Sequence, residues 1–279
     1  MSRSTMNWSR TLTVARTDVK QLVLAKDFWM PMGILGSIFF VIVPLVLLFS
    51  ITSLGDVEAV QNIANTLEVL PQKAQDQIKG DTPQGRTSYA LAVFLFAPMA
   101  VVVPLTISTA VGAATLVGER ERGTGEFLAH SPAGTKEIYL GKLLASLLPG
   151  YFTTMVGFTA YSLIVNLIVG PEVGGWFFPT TQWWLLMLWV LPGFLLIGLS
   201  LVLRLSGRVK STAAAQQASG LITLPLIAIS YAQASGAIYG TPTTTIIIGA
   251  IAWTIGITST WRGMGAVKRQ RLLGVADGV

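Results

Sequence analysis

Apolar positions along this chain gather into long uninterrupted blocks rather than alternating with polar ones. Five runs hold no Asp, Glu, Lys or Arg: Phe28–Gly55 (28 residues), Thr87–Gly118 (32), Leu143–Pro171 (29), Val173–Leu203 (31) and Ser211–Trp261 (51). A helix needs about 20 mostly apolar residues to cross about 30 Å of hydrocarbon. Each of the first four runs therefore predicts one crossing. The fifth is too long for one, and Ser235-Gly236-Ala237-Ile238-Tyr239-Gly240-Thr241-Pro242 divides it with turn formers. The pattern predicts a single all-α membrane domain over 1–279, with six spans at about 31–54, 89–117, 140–169, 182–204, 212–234 and 244–261.

Three polar segments complete the map. Ahead of the first block, Trp8, Leu12, Ala15, Val19 and Leu22 share one helical face, while Arg10, Thr17, Lys20 and Gln21 lie away from it. This predicts an amphipathic helix over 8–27. A basic helix with an apolar stripe and a Trp suits the membrane interface. Packing on the protein's own spans is the other reading, and the two are compatible. The basic leader is long for a secretory signal and the apolar run exceeds an h-region, so the first block reads as a retained span. The outer loop 55–88 carries a short helix from Asp56 to Leu67, with Val60, Ile63, Ala64 and Leu67 on one face. Pro71 and Gly80-Asp81-Thr82-Pro83 break it, leaving a small cap rather than a domain. The third segment, Glu119–Pro132, alternates acid and base as it leaves the membrane. Thr124 can cap a short helix with Glu126 in its first turn, and Pro132 stops it. That leaves Phe127 and Leu128 as an exposed apolar pair, which reads either as a docking knob or as part of an ordinary connection.

Composition agrees with the block pattern and adds an orientation. Apolar residues make up 52% and charged residues 11%, with a mean hydropathy of +0.63. A soluble domain carries about 25% charged residues, so a disordered chain or an ordinary cytosolic enzyme is excluded. There is no cysteine and a single histidine, His130. A disulfide framework and a thiolate or His-rich metal centre are excluded with them. With both termini inside, sixteen of the 19 basic residues face the cytoplasm, and only Lys73, Lys79 and Arg86 lie outside. The positive-inside rule selects that topology. The net charge of +6 thus sits beside helix ends, where it meets anionic lipid rather than nucleic acid.

Other chemistry is sparse. The one Gly-Lys pair, Gly141-Lys142, lacks the spacing of a phosphate-binding loop, so ATP hydrolysis needs another chain. No charge lies inside the apolar runs, which argues against a proton relay. Uncharged polar residues do occur there, and Thr106, Thr109, Asn166, Gln216 and Gln217 are candidates for a substrate path. Ordinary inter-helix hydrogen bonding is the simpler reading for any one of them. Trp176, Phe177, Phe178, Trp183, Trp184 and Trp189 read as an interfacial aromatic belt. Pro44, Pro98, Pro104, Pro149, Pro192 and Pro225 can kink spans and free carbonyls.

The run from Val103-Pro104 through Gly118-Glu119-Arg120-Glu121-Arg122-Gly123-Thr124-Gly125-Glu126-Phe127-Leu128, then Ser131-Pro132 and Glu137-Ile138-Tyr139-Leu140-Gly141-Lys142, resembles the ABC-2 type permeases. The likeness extends to the amphipathic N-terminal helix, the six spans and the chain length. Gly125 departs from the pattern, where the family more often has an apolar residue. The outer loop and the Pro104-bearing span look closest to the sodium- and drug-efflux branch. The resemblance implies a type V exporter-like fold in a bacterial plasma membrane. It implies a coupling loop over 119–137, with Glu119, Arg120, Glu121, Arg122, Thr124, Glu126, Phe127 and Leu128 meeting an ATPase subunit. It implies two copies of that ATPase, which would hold ATP and Mg, and a second permease, identical or homologous. This chain itself would need no cofactor. Two competing readings are a non-transporting anchor that transmits ATPase work, and an intramembrane enzyme. The first would call for a larger outer domain, and the second for a nucleophile and base at depth.

Overall fold

Among the described residues of the computed structural model, five helices are long and apolar enough to cross a membrane: Trp29–Ser53, Pro83–Thr115, Thr135–Ile168, Thr181–Leu205 and Pro242–Gly265. They are called here the first, second, third, fourth and final spans. The structure describes residues 6–54, 72–121, 131–206 and 242–266, with positions 62, 65, 214, 217, 220–221 and 224–228. Among the described residues every regular element is helical. The span expected over 212–234 falls largely outside them, and its described positions are helical. Most of the expected outer helix from Asp56 to Leu67 also lies outside the described residues.

Burial separates the spans into two kinds. The second and fourth are 72% and 67% enclosed over their most apolar windows, whereas the first, third and final are 28% enclosed. The second and fourth therefore form the centre, packed on each other. The third lies along the second, and the final lies along the fourth. The outer spans turn Phe49, Phe152, Leu167 and Ile257 outward, as helices bathed in acyl chains require.

Two span boundaries differ from the hydropathy reading, both because a cap lies outside the apolar run. The second helix starts at Pro83, where Thr82 accepts a hydrogen bond from the Gly85 amide. Thr82-Pro83 thus also serves as a start signal, N-cap then Pro at the first position, after the non-helical stretch 76–82. The third starts at Thr135, where Glu137 accepts from the Gly134 amide at 2.8 Å.

Three spans change winding midway. Ile38–Ile42, Leu91–Leu95 and Leu186–Val190 are π-helical, and Pro44, Pro98 and Pro192 follow them closely. A proline ring clashes with the carbonyl four residues back and offers it no N–H. Those carbonyls belong to Phe40, Phe94 and Leu188, inside the widened turns. Proline alone is not sufficient, since Pro104 and Pro149 sit within α-helix. In two of these widened turns, carbonyls near those that face the proline accept from aromatic side chains of neighbouring spans, as backbone oxygens in hydrocarbon require. Tyr161 Oη donates to Ala92 O at 2.6 Å and Trp183 Nε1 to Val93 O at 2.9 Å. Tyr151 Oη donates to Met187 O at 3.2 Å and Trp253 Nε1 to Trp189 O at 3.0 Å.

The expected aromatic belt is thereby divided. Trp176 and Trp184 are exposed, but Phe178 and Trp183 are buried with Phe158 and Tyr161. Trp183 stacks on Phe158 with centroids 5.8 Å apart, and Phe178 meets Tyr161 edge-on at 5.3 Å. These rings are core at the expected outer end of the bundle.

Candidate functional site

The chain ahead of the first span folds as a helix over Trp8–Leu24, capped by the Asn7 side chain, and ends at Ala25 in extended backbone. Its buried positions are Thr11, Ala15, Asp18 and Leu22. This set keeps the spacing of the predicted stripe but is rotated from it, because Trp8 is 60% and Leu12 58% exposed. The helix lies along the beginning of the third span. Gly141 makes that approach possible. A methyl group there would come within 2.7 Å of Val14 Cγ1 and 3.0 Å of the Thr11 carbonyl oxygen.

The next residue, Lys142, is fully buried and pairs with Asp18, Nζ to Oδ2 at 3.3 Å. Its ammonium also donates to the Thr115 carbonyl of the second span at 2.9 Å. One lysine therefore joins the N-terminal helix, the second span and the third. Sequence counting placed Lys142 among the basic residues that flank the lipid, and the structure corrects this. The missed signal was the lone acid in a helix of basic and apolar residues, in register with Thr11, Ala15 and Leu22. Two contacts brace the same junction. Glu137 Oε1 accepts from the Asn7 amide at 2.7 Å, and Arg10 Nη1 donates to the Pro132 carbonyl at 2.9 Å.

Polar contacts continue from the third span in the other direction. Ser146 Oγ lies 3.5 Å from Thr115 Oγ1 and donates to the Lys142 carbonyl at 2.7 Å. Tyr139 Oη donates to the Ser200 carbonyl of the fourth span at 3.4 Å. Ser200 Oγ donates to Ser259 Oγ of the final span at 2.8 Å, and Arg204 Nη2 donates to the Ser259 carbonyl at 3.3 Å. Over residues 137–146 the third span thus contacts the N-terminal helix and the second and fourth spans, and the fourth passes the connection to the final span.

The loop between the second and third spans emerges at this level. Glu119, Arg120 and Glu121 close the helix Met99–Glu121, and the chain re-emerges at Ser131. Arg122, Thr124, Glu126, Phe127, Leu128 and His130 lie outside the described residues. Three of the candidate path residues, Thr106, Thr109 and Asn166, have hydrogen-bond partners within the protein. Thr106 is exposed and donates to the Val102 carbonyl, while Thr109 is buried and donates to the Leu105 carbonyl. Asn166 is buried at the expected outer end, where it accepts from the Phe177 and Phe178 amides and donates to the Phe178 carbonyl. Its amide holds the turn into the fourth span. Gln217 is helical and exposed, and Gln216 lies outside the described residues. Among the described residues no group of His, Cys, Asp and Glu could hold a metal ion.

A family model described as ABC-2 family transporter protein matches residues 12–248. That interval takes in most of the N-terminal helix, the lysine junction and both sides of the loop. No curated protein matches the chain.

Proposed function

Because this chain belongs to the ABC-2 family of transporter membrane proteins, we propose that it is the permease subunit of an ATP-binding-cassette exporter. A separate ATPase, present in two copies and holding ATP and Mg, docks on the 119–137 loop. The loop lies in the cytoplasm with both termini, in a bacterial plasma membrane. A second permease, identical or homologous, completes the pathway, and transport proceeds by alternating access.

One observation carries this reading. The third span, which begins directly after the loop, is bonded within its first three turns to three neighbouring elements. Force applied at the loop reaches the N-terminal helix and the second and fourth spans through Glu137, Tyr139 and Lys142. An anchor that only transmits ATPase work would use the same connection, and against it stands the small expected outer loop 55–88, too short for an envelope-facing domain. Protein interiors are close-packed and transmit displacement rather than absorbing it.

The test is a pull-down of the ATPase encoded with this chain. Replacing Phe127 with Asp puts a charge on the apolar knob and should release the ATPase in detergent, with permease expression unchanged. Full retention would overturn the assignment of the loop.

A further inference from the structure

We propose that the helix Trp8–Leu24 binds an anionic lipid surface and relays that contact to the loop through the Asp18–Lys142 junction. The relay's consequence for transport rests on the permease reading, but the lipid contact does not.

The helix has two differently used sides. One is closed against the third span by Thr11, Ala15, Asp18 and Leu22. Beside it runs a row at four-residue spacing, Trp8, Leu12, Arg16, Lys20 and Leu24, all exposed. Neighbours at that spacing lie one above the other on a helix. The row turns slowly round the helix, so Trp8, Leu12 and Val23 form an exposed apolar edge and Arg16 and Lys20 lie directly beside it. Val23 is 64% exposed, and Trp29 opens the first span at 50% exposed. An apolar edge would insert below the headgroups, while Arg16 and Lys20 would remain among the phosphates. A zwitterionic surface would satisfy only the apolar part. The charges select an anionic leaflet, which attracts juxtamembrane Lys and Arg.

The second observation is how firmly the helix is held on its other side. Asp18 meets Lys142 at 3.3 Å, the Asn7 amide meets Glu137 at 2.7 Å, and Arg10 meets the Pro132 carbonyl at 2.9 Å. These partners lie within the eleven residues that follow Ser131. A shift of the helix on the lipid cannot occur without moving the side of the loop that enters the third span.

The test uses the full chain alone in nanodiscs of phosphatidylcholine, with or without phosphatidylglycerol. The chain contains no cysteine, so Ser9→Cys carries a single environment-sensitive dye beside Arg16. Phosphatidylglycerol should shift the dye toward an apolar signal. Replacing both Arg16 and Lys20 with Gln, exposed positions that leave the buried side intact, should weaken this response roughly tenfold or more. Hydrogen exchange over 131–146 should slow several-fold with phosphatidylglycerol in the parent and not in Asp18→Asn, while the Asn variant keeps the dye response. If Asp18→Asn fails to fold, Asp18→Glu serves, with a weakened exchange response expected. A dye signal equal in both lipids, or unaltered by the Gln pair, overturns the lipid contact. Exchange that ignores the lipid in the parent overturns the relay. Neither readout uses the ATPase, so a failed Phe127→Asp pull-down leaves this test intact.

Discussion

Lys142 shows most clearly how a residue legible as a letter acquires its meaning from its surroundings. A buried ammonium is tolerated only when paired and hydrogen-bonded, and Asp18 and the Thr115 carbonyl supply both. Removing one member of a buried ion pair costs about 3–5 kcal/mol, because the other charge loses its nearby counter-charge. Asp18→Ala should therefore lower the denaturation midpoint in detergent markedly, and the charge-swapped pair Asp18→Lys with Lys142→Asp should recover part of the loss. A midpoint equal to the parent's would remove the pair from the account. Gly150 offers a second residue-scale test. A methyl group there would collide with Ser108 Oγ and come within 3.0 Å of the Pro104 carbonyl oxygen. Gly150→Ala should cost about 1–3 kcal/mol in the same unfolding measurement, whereas Gly33→Ala, with nothing within 4 Å, should not. The sequence displayed Gly141-Lys142 plainly. It did not display Asp18 as the partner, because 124 residues separate the two.

At the scale of elements, the widened turns and their aromatic donors form one device. The prolines were visible as sources of freed carbonyls, yet Pro104 and Pro149 leave their helices α. The donors Tyr151, Tyr161, Trp183 and Trp253 come from other spans, so local sequence could not announce them. Trp183→Phe keeps a ring against Phe158 but removes the proton given to Val93 O, leaving a buried carbonyl unpaired at about 1–3 kcal/mol. Trp183→Ala also empties the core site and should cost about 3–5 kcal/mol. Thermal unfolding should therefore order the variants as parent, Phe, Ala. Equal midpoints for parent and Phe would show that Val93 O finds another donor. The N-terminal helix gives a related lesson. Periodicity found the helix, but Thr11, Ala15, Asp18 and Leu22, a side that includes an acid, face the protein in place of the Trp8–Leu12 stripe.

For the molecule as a whole, the proposed topology and assembly are each open to a direct measurement. Single cysteines at Ser4 and Ala276 should resist a membrane-impermeant thiol reagent in intact cells, and one at Gln75 should react. The reverse pattern would invert the topology and place the 119–137 loop outside. Because the resembled exporters pair two membrane halves, native mass spectrometry of an active preparation should find two permease subunits with two ATPases. A lone permease bound to one ATPase would contradict the paired pathway.

The sequence by itself determined the class, the family resemblance and the rough position of the five crossings among the described residues, since hydrocarbon imposes a minimum apolar length on each span. It also supplied the orientation that the cysteine labelling tests, because basic residues concentrate on one set of expected helix ends. Tertiary structure decided which spans form the centre, which aromatic rings are core, and which side of the N-terminal helix is closed. It also decided that Asn166 holds a turn and that Lys142 joins three helices. These facts depend on partners tens to more than a hundred residues away, and hydropathy, being local, carries no record of which surfaces meet.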